Sequence, residues 1–327
     1  MSESHRRHRP IDLLATGELL VDFISEEMGT LAQAQHFSRH QGGSPANLVR
    51  NMALLSNRVA LVACVGNENL GRFLARQLEE AGVLTDHLIV DPIAPTSVVV
   101  IARTTGTPDF IAYRAADVMI KPEHLADDLL NRSTIYHTTC LAMSRNPAQE
   151  SILDGAARAA AQGSMLSMDV NYAPSVWGDR DTARRLVAAY CEHGALIKLS
   201  DDDVVRLFDE EAILPTEAVR RFHDWGARLV CLTLGAQGSF VSWDRGQQQA
   251  HVAARHATVA DATGAGDAYW AGFLTAWLDG HAPAVCADAG SALAALKLGT
   301  VGPLSEAISP DMLTATEGKG KREGVRG

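Results

Sequence analysis

The residues best suited to chemistry form one short stretch, Asp261-Ala262-Thr263-Gly264-Ala265-Gly266-Asp267, directly before an apolar segment. Apolar residues in that segment recur at i, i+3, i+4, i+7 and i+8 from Trp270, which predicts a helix with one buried face. The small residues Gly264, Ala265 and Gly266 leave the N–H groups of the first turn uncovered, and these groups with the helix dipole favour a phosphate. Asp267 could take the proton of an acceptor hydroxyl, so the stretch suits phosphoryl transfer. The alternative is that Asp267 only caps the helix and the glycines make a tight turn.

The elements that must position this stretch alternate regularly along the chain. Strand-like segments are predicted at 11–14, 19–24, 58–65, 134–138, 165–170, 195–199 and 228–234, and helices at 44–56, 147–162, 179–193, 201–208, 216–225 and 283–298. The pattern predicts an α/β fold with a doubly wound, mostly parallel sheet, whose ligands bind at the carboxyl ends of the strands. We find no internal repeat or low-complexity linker, so one main domain over residues 11–310 is expected. Two strand-like runs, 97–103 and 109–113, flank a Gly/Pro hairpin and suit a separate small β-sheet.

Composition excludes several classes of protein. The chain has 327 residues, 46% of them hydrophobic, and no apolar run long enough to span a membrane. Its net charge of −10 argues against nucleic acid or a membrane surface as partner. The five cysteines are odd in number and contain no CxxC pair, so we expect neither zinc nor disulfides, and a reducing, cytoplasmic compartment. Residues 1–10 lack the apolar region of a secretory signal, and 1–10 and 316–327 are predicted to be disordered tails.

Two further segments contain patterns that predict local structure or a ligand contact. In Gly42-Gly43-Ser44-Pro45, Ser44 is predicted to be the N-cap of a helix and Pro45 its first residue, while the paired glycines would let a ligand approach the backbone. Alternation in the strand-like segment 19–24 places Asp22 opposite its apolar neighbours. That carboxylate either ends a strand in a turn or accepts hydrogen bonds from a polyol, and both readings stay open.

Residues 261–267 resemble the Asp-Thr-x-Gly-Ala-Gly-Asp signature of the ribokinase-type sugar kinases, the phosphofructokinase-B family, with Ala262 replacing the commoner Thr. The segment from Gly42 to Asn47 is similar to the first signature of that family. The resemblance implies a ribokinase-like fold with a small β-sheet lid, built from segments at about 18–40 and 96–114. It also implies transfer from Mg·ATP to a sugar hydroxyl, with Asp267 as the base, and homodimer contacts through the lid.

The resemblance also implies a set of site residues. The sugar site would comprise Asp22, Gly42, Gly43, Asn47, Arg114 and Asn171, although Arg114 could equally be a surface residue. The nucleotide site would comprise Lys198, Ser200, Thr233, Gly235 and Gly238. Asp203 would organise Mg²⁺ through its waters. The alternative is that Ser200 and Asp203 only cap and stabilise the N-terminus of a helix. Asp261 and Thr263, with carbonyls after the helix at 283–298, would form a K⁺ site.

Among members of the family the chain is most similar to fructokinases, which makes D-fructose the first expected substrate. The second is 2-keto-3-deoxygluconate, and ribose or a nucleoside is third. Residues 169–177 resemble an element of fructokinases and 2-keto-3-deoxygluconate kinases, but Ala173 stands where both usually have Arg. The absence of Arg weakens both readings, and the sugar-acid reading more than the neutral-sugar one. A catalytically idle sugar- or nucleotide-binding regulator is the alternative from another class. The chain has neither a P-loop motif nor a Gly-x-Gly-x-x-Gly after its first strand, so a P-loop kinase and a Rossmann dehydrogenase are not expected.

Overall fold

The structure is a computed structural model that describes residues 9–104 and 109–314. The predicted tails therefore lie mostly outside the described residues, as does the tip of the predicted hairpin. Arg9 is an exception, because its guanidinium donates hydrogen bonds to the carbonyls of Ser133 at 2.8 Å and Gln162 at 2.5 Å. It packs on the domain and does not belong to a free tail.

Within the described ranges the large sheet has nine strands in the order β13-β12-β11-β10-β9-β8-β1-β4-β5. The strands from β11 to β5 in this order are mutually parallel, and β12 and β13 add an antiparallel edge. Their bounds are β1 Ile11–Thr16, β4 Val59–Gly66, β5 Leu88–Asp91, β8 Ser133–Thr139, β9 Met165–Asp169, β10 Leu196–Ser200, β11 Leu229–Thr233, β12 Ser239–Trp243 and β13 Gln248–Val252. The predicted doubly wound, mostly parallel α/β fold is confirmed.

Helices cover both faces of this sheet. One apolar core packs against α3 Asp127–Asn131, α4 Ala148–Ala161, α5 Arg180–Cys191, α6 Asp201–Phe208 and α7 Pro215–Asp224. The other packs against α1 Ser44–Leu54, α2 Asn69–Glu80, α8 Ala265–Leu278, α9 Pro283–Leu298 and the short α10 Asp311–Thr314. Side chains from one strand alternate between the two cores, as Leu13 and Leu14 do in β1. No helix of the described residues is both long and apolar enough to cross a bilayer.

Helix α8 departs from the prediction of a single buried face. Every residue from Ala268 to Leu278 is buried, so the helix is apolar all round. The reason is that α8 packs beneath the sheet and also against α1 and α9. Its backbone approaches α9 closely, since a Cβ on Gly272 would lie 2.7 Å from the carbonyl oxygen of Ala289. This close packing positions the N-terminus of α8 relative to the sheet.

A second sheet of four strands stands apart from the first, in the order β3-β2-β6-β7. It is formed by β2 Leu20–Met28, β3 Phe37–Gly42, β6 Val98–Arg103 and β7 Phe110–Tyr113. Leu20, Ile24, Val99 and Ile101 form its own small apolar cluster. This is the small β-sheet lid that the fold prediction included, and β3 runs directly into the segment that begins α1.

Several elements are absent from the sequence prediction. At the edges of the main sheet they are β5 and the antiparallel pair β12 and β13, and elsewhere they are β3, α2, α3 and the short α10. Glu68 caps α2 by accepting hydrogen bonds from the backbone N–H groups of Gly71 and Thr96, both at 3.3 Å. These edge elements extend the main sheet but do not reach the segment 261–267.

Candidate active site

The N-terminus of α8 is the centre of the site. Gly264 is its N-cap in the left-handed conformation, with φ +75°, and α8 begins at Ala265. The N–H of Ala265 donates to the carbonyl of Ala262 at 3.2 Å, so this amide is engaged within the turn. Space beside Gly264 is bordered by three polar side chains, because a Cβ there would lie 3.7–3.8 Å from atoms of Asp267, Asn47 and Lys297. A left-handed turn that lacks a Cβ leaves room for a ligand at the helix terminus.

Asp267 is partly buried in the first turn of α8 and is held by two residues of α1. Its Oδ1 accepts a hydrogen bond from the Ser44 hydroxyl at 2.6 Å, and its Oδ2 accepts one from Asn47 Nδ2 at 2.9 Å. Burial raises the pKa of this carboxyl, although both hydrogen bonds and the ammonium groups of Lys198 and Lys297 oppose the shift. A carboxylate with fixed orientation and raised pKa suits a general base.

The predicted capping role of Ser44 was wrong. Helix α1 begins at Ser44 itself, its N-cap is Gly43 at φ +98°, and no side chain caps it. A Cβ on Gly43 would lie 2.3 Å from the carbonyl oxygen of Glu18, so only glycine fits between the two segments. The Ser44 hydroxyl is therefore free to turn toward Asp267 instead of the backbone of its own helix.

A buried ion pair lies on one side of the α8 terminus. Lys198 Nζ lies 2.9 Å from Asp169 Oδ2 and 3.1 Å from Oδ1. Both residues are buried, Asp169 at the end of β9 and Lys198 in the middle of β10. Burial alone would lower the pKa of Lys198, but Asp169 and Asp203 outweigh it and raise the pKa, so the ammonium is charged. A Cβ on Gly266 would lie 2.8 Å from this Nζ. A fixed positive charge thus lies over the first turn of α8, beside the predicted anion site.

A second buried pair, between Asp261 and Lys297, lies on the other side. Lys297 Nζ is 3.4 Å from Asp261 Oδ2 and 3.2 Å from the carbonyl oxygen of Thr300. Asp261 Oδ1 also accepts the N–H of Thr263 at 2.9 Å, and Oδ2 accepts the N–H of Gly302 at 3.3 Å. The pair joins the end of α9 to the loop that leads into α8.

An open cleft of about 400 Å³ lies between this loop, α1 and the lid. Most of the residues that line it have polar side chains, among them Asp22, His40, Gln41, Asn47, Asn51, Asp261, Thr263 and Lys297, and Ile24, Pro303 and Leu304 add apolar surface. Asp22 is 7% exposed, and burial, followed by the charges of Asp267 and Asp261, raises its pKa to about 8. A Cβ on Gly42 would lie 2.2 Å from Asp22 Oδ2, so this glycine makes room for the carboxylate.

The structure brings Asp22, Gly42, Gly43 and Asn47 together near Asp267, but it places Arg114 elsewhere. The guanidinium of Arg114 forms an ion pair with Asp117, in which both side chains are almost fully buried. Arg114 also donates to the carbonyl of Leu141 at 2.9 Å. Its buried side chain excludes the alternative of a surface residue, while its predicted contact with substrate is untested. Asn171 follows β9 with φ +33°, a conformation that non-glycine residues seldom adopt, and its predicted sugar contact is also untested.

The residues predicted to bind nucleotide lie at the ends of β10 and β11. Ser200 and Asp203 form a capping box at the start of α6, with the Ser200 hydroxyl donating to Asp203 Oδ2 at 2.7 Å. The Thr233 hydroxyl donates to the carbonyl of Leu199 at 3.3 Å. Gly235 borders open space, since a Cβ there would meet no atom within 4 Å, whereas a Cβ on Gly238 would lie 2.0 Å from the carbonyl oxygen of Val252. Gly235 can therefore face a ligand, and Gly238 is explained by the close approach of β13.

Metal ligands are not grouped at this site. No set of three or more His, Cys, Asp or Glu side chains that could hold a metal occurs in the part of the chain that the structure describes. Mg²⁺ needs no such cage, because it keeps several waters and binds through one or two carboxylates together with the phosphates of a substrate. Asp203 is 5% exposed and accepts hydrogen bonds from the N–H groups of Tyr172 at 2.9 Å and Ser200 at 2.8 Å. Its assignment to Mg²⁺ stays a prediction.

The sequence reading missed several residues of the site, namely Ser44 as a partner of Asp267, Asp169 as the partner of Lys198, Lys297 as the partner of Asp261, and Glu18. Glu18 is 2% exposed and accepts hydrogen bonds from the Thr139 hydroxyl at 2.9 Å and the N–H of Ser44 at 3.3 Å. Burial raises its pKa to about 7. A charged residue inside a strand-like or apolar helical segment was the available signal for Asp169 and Lys297, since burial of such groups requires a partner.

Comparison with known proteins identifies the family of the chain. An ATP-dependent 6-phosphofructokinase of Thermoanaerobacterium thermosaccharolyticum is 31% identical over 293 residues, which cover 90% of this chain and 89% of the relative. A 2-dehydro-3-deoxygluconokinase of Thermoproteus tenax is 29% identical over 309 residues, 92% of each chain. The solved fructokinase of Halothermothrix orenii superposes with a TM-score of 0.75 at 30% identity, covering 89% of this chain and 99% of that one. The family described as pfkB family carbohydrate kinase matches residues 11–309. The chain therefore belongs to the pfkB family of carbohydrate kinases, as its two signatures predicted.

Proposed function

We propose that this kinase transfers the γ-phosphoryl group of ATP to a primary hydroxyl of D-fructose, giving fructose 6-phosphate. The observation that carries the proposal is the fixed carboxylate of Asp267 at the N-terminus of α8, between the charged Lys198 and Lys297. A sugar hydroxyl placed in the cleft would meet a base on one side and positive charge where the phosphoryl group arrives.

The residues around the N-terminus of α8 have different roles in the transfer. Asp267 accepts the proton of the attacking hydroxyl, and its hydrogen bonds from Ser44 and Asn47 keep its oxygens oriented while it does so. The first-turn backbone at Gly264 and Gly266 stabilises the equatorial phosphoryl oxygens, helped by the positive end of the α8 dipole. The Lys198 ammonium adds a point charge on the same side, held in place by Asp169.

Mg²⁺ would neutralise charge on the β- and γ-phosphates when it is bound with ATP. Asp203 is the carboxylate that we propose holds it through a water. A carboxylate offers about four lone-pair sites, and the hydrogen bonds from Tyr172 and Ser200 to Asp203 occupy three of them. One site remains for a metal-bound water, which suits an indirect contact.

The lining of the cleft favours a neutral polyol over an acidic or phosphorylated sugar. Carboxylate and amide groups of Asp22 and Asn47 suit hydroxyl groups, which both donate and accept. Arg50 also lines the cleft, but its Nε donates to the carbonyl of Leu304 at 3.1 Å and its Nη1 to that of Gln77 at 2.9 Å. Its Nη1 also donates to Gln41 Oε1 at 3.4 Å, so two of its three nitrogens are engaged within the protein and an anionic substrate group would gain less from them. Ala173 in place of Arg acts in the same direction.

The test is a coupled ADP-release assay with Mg·ATP and a panel of fructose, 2-keto-3-deoxygluconate, ribose, adenosine, tagatose and fructose 6-phosphate. We expect the highest kcat/KM with fructose, and a kcat lowered by about 10²- to 10⁴-fold in Asp267→Asn. The names of two relatives make 2-keto-3-deoxygluconate and fructose 6-phosphate the strongest competitors. A preference for either would support the kinase activity but refute D-fructose as the substrate. ATP binding without turnover of any sugar would favour the idle regulator.

Two further properties are proposed with this function. We place the enzyme in the cytoplasm, a proposal supported by five unpaired, buried cysteines.

We also propose a homodimer through the lid, where Phe37, Ile111 and Tyr113 are exposed apolar side chains. Light scattering on the native chain, compared with a variant carrying Ile111→Glu, tests the dimer, and equal masses for the two proteins would refute it.

A further inference from the structure

A buried lysine ammonium lies where the family resemblance implies a K⁺ ion. Lys297 is in the last turn of α9 and is 4% exposed. Its Nζ contacts the carboxylate of Asp261 and the carbonyl oxygen of Thr300, at 3.4 and 3.2 Å. The resemblance assigns the Asp261 carboxylate and the carbonyls that follow α9 to a site for a monovalent cation.

Electrostatics argues against a second cation at this place. Asp261 is 8% exposed, and a buried carboxylate must be compensated by an opposite charge or by hydrogen bonds. Lys297 supplies the charge, while the N–H groups of Thr263 and Gly302 supply hydrogen bonds to the two oxygens. A K⁺ ion that shared Asp261 and Thr300 with the ammonium would face a like charge within a few ångströms in a poorly solvated site, which is unfavourable. The residues present therefore do not fit a free K⁺.

We propose that Lys297 is a tethered cation that replaces a free monovalent ion, so that this kinase works without K⁺. Lys297 acts as a positioning residue. Through Asp261 it holds the loop from 261 to 264, and its Cε lies 3.8 Å from the position of a Cβ on Gly264, the N-cap of α8. The part of the proposal that concerns turnover rests on the proposed kinase function.

The first arm of the test is the cation dependence of the unaltered enzyme. ADP release is measured in KCl, NaCl and choline chloride at one ionic strength. We expect the three rates to agree within about twofold, because the cation is covalently supplied. A stimulation by K⁺ of fivefold or more over both other salts would overturn the proposal.

The second arm replaces the tethered charge. In Lys297→Ala, kcat/KM should fall by about 10²-fold in choline chloride, the order of loss expected when reacting groups are misplaced by about an ångström. K⁺ or NH₄⁺ should restore it at least tenfold and with saturation, whereas a merely structural lysine would show no such rescue. Lys121→Ala, at an exposed position, is the matched control and should show neither the loss nor the rescue. Full activity of Lys297→Ala in choline chloride, or a loss that no cation reverses, would overturn the proposal.

A measurement without substrate separates this inference from the kinase function. The melting temperature of Lys297→Ala should rise on replacing choline chloride with KCl, while that of the unaltered protein should not. Lys297→Gln, which keeps a donor but no charge, provides the same comparison if the alanine variant does not fold. If no sugar is phosphorylated but this thermal response appears, the kinase proposal fails and the tethered cation stands. A cooperatively melting variant that responds to no cation refutes the tethered cation.

Discussion

Replacing Asp22 with Asn should stabilise the protein while it weakens sugar binding. The Asp22 carboxyl is 7% exposed, and its pKa is raised from 3.8 to about 8, mainly by burial. Between these two values the unfolded chain has lost the proton, whereas the folded protein still holds it. The folded state then binds one more proton than the unfolded state, so stability falls as pH rises through this range. An Asn side chain does not titrate, so this loss of stability with rising pH disappears in Asp22→Asn.

The magnitude follows from the size of the shift. One pH unit corresponds to about 1.4 kcal/mol, so about three units between the ordinary pKa and pH 7 give a penalty of roughly 4 kcal/mol. Water that enters the open cleft relaxes part of this burial cost. We therefore expect Asp22→Asn to gain about 2–4 kcal/mol in the free energy of unfolding at pH 7, and almost nothing at pH 4. The KM for the sugar should rise by about two- to tenfold, the usual effect of losing a hydrogen bond between neutral groups.

The assay is urea unfolding, followed by circular dichroism, of the unaltered protein and Asp22→Asn at several values between pH 4 and pH 8. Other titrating groups are common to both proteins, so the difference between the two curves reports Asp22. Asp86→Asn, at an exposed position, is the matched control and should differ little from the unaltered protein at any pH. A stability difference that does not grow with pH, or an Asn variant that is less stable at pH 8, would refute the reasoning.

Three substitutions test the rest of the site with the same ADP-release assay and a thermal melt. Asp267→Asn should lower kcat by about 10²- to 10⁴-fold without lowering the melting temperature, and turnover near the native rate would rule out Asp267 as base. Gly42→Ala would place a Cβ 2.2 Å from Asp22 Oδ2, so the KM for sugar should rise about tenfold and the KM for ATP should not; equal changes in both would contradict a local effect. Gly266→Ala would place a Cβ 2.8 Å from Lys198 Nζ, so kcat should fall about tenfold while the sugar KM stays constant. Unchanged kcat in that variant would show that the ammonium position does not matter.

Local patterns in the sequence were sufficient for the fold class and for the centre of the site. The alternation of strands and helices after residue 134 predicted the parallel sheet, because hydrophobic periodicity reports which face of each element is buried. The glycines around Ala265 predicted the exposed helix terminus, because a left-handed N-cap at Gly264 requires a residue without a Cβ. Antiparallel β12 and β13 were missed, since their segments are short and β13 is largely exposed, so it carries no strong apolar pattern.

Only the tertiary structure decided which side chains meet. Ser44 reads as an N-cap from its neighbours alone, yet its hydroxyl binds Asp267, which is 223 positions away. Helix α8 reads as amphipathic, yet it is buried all round because α1 and α9 enclose it. Lys297 is a lone charge in an apolar helical segment, which indicates that it needs a partner, but only the packing of α9 beside the loop shows that the partner is Asp261, 36 positions earlier. Propensity and periodicity depend on residues within a few turns, whereas the charges and hydrogen bonds of this site come from segments that approach one another only after the whole sheet has formed.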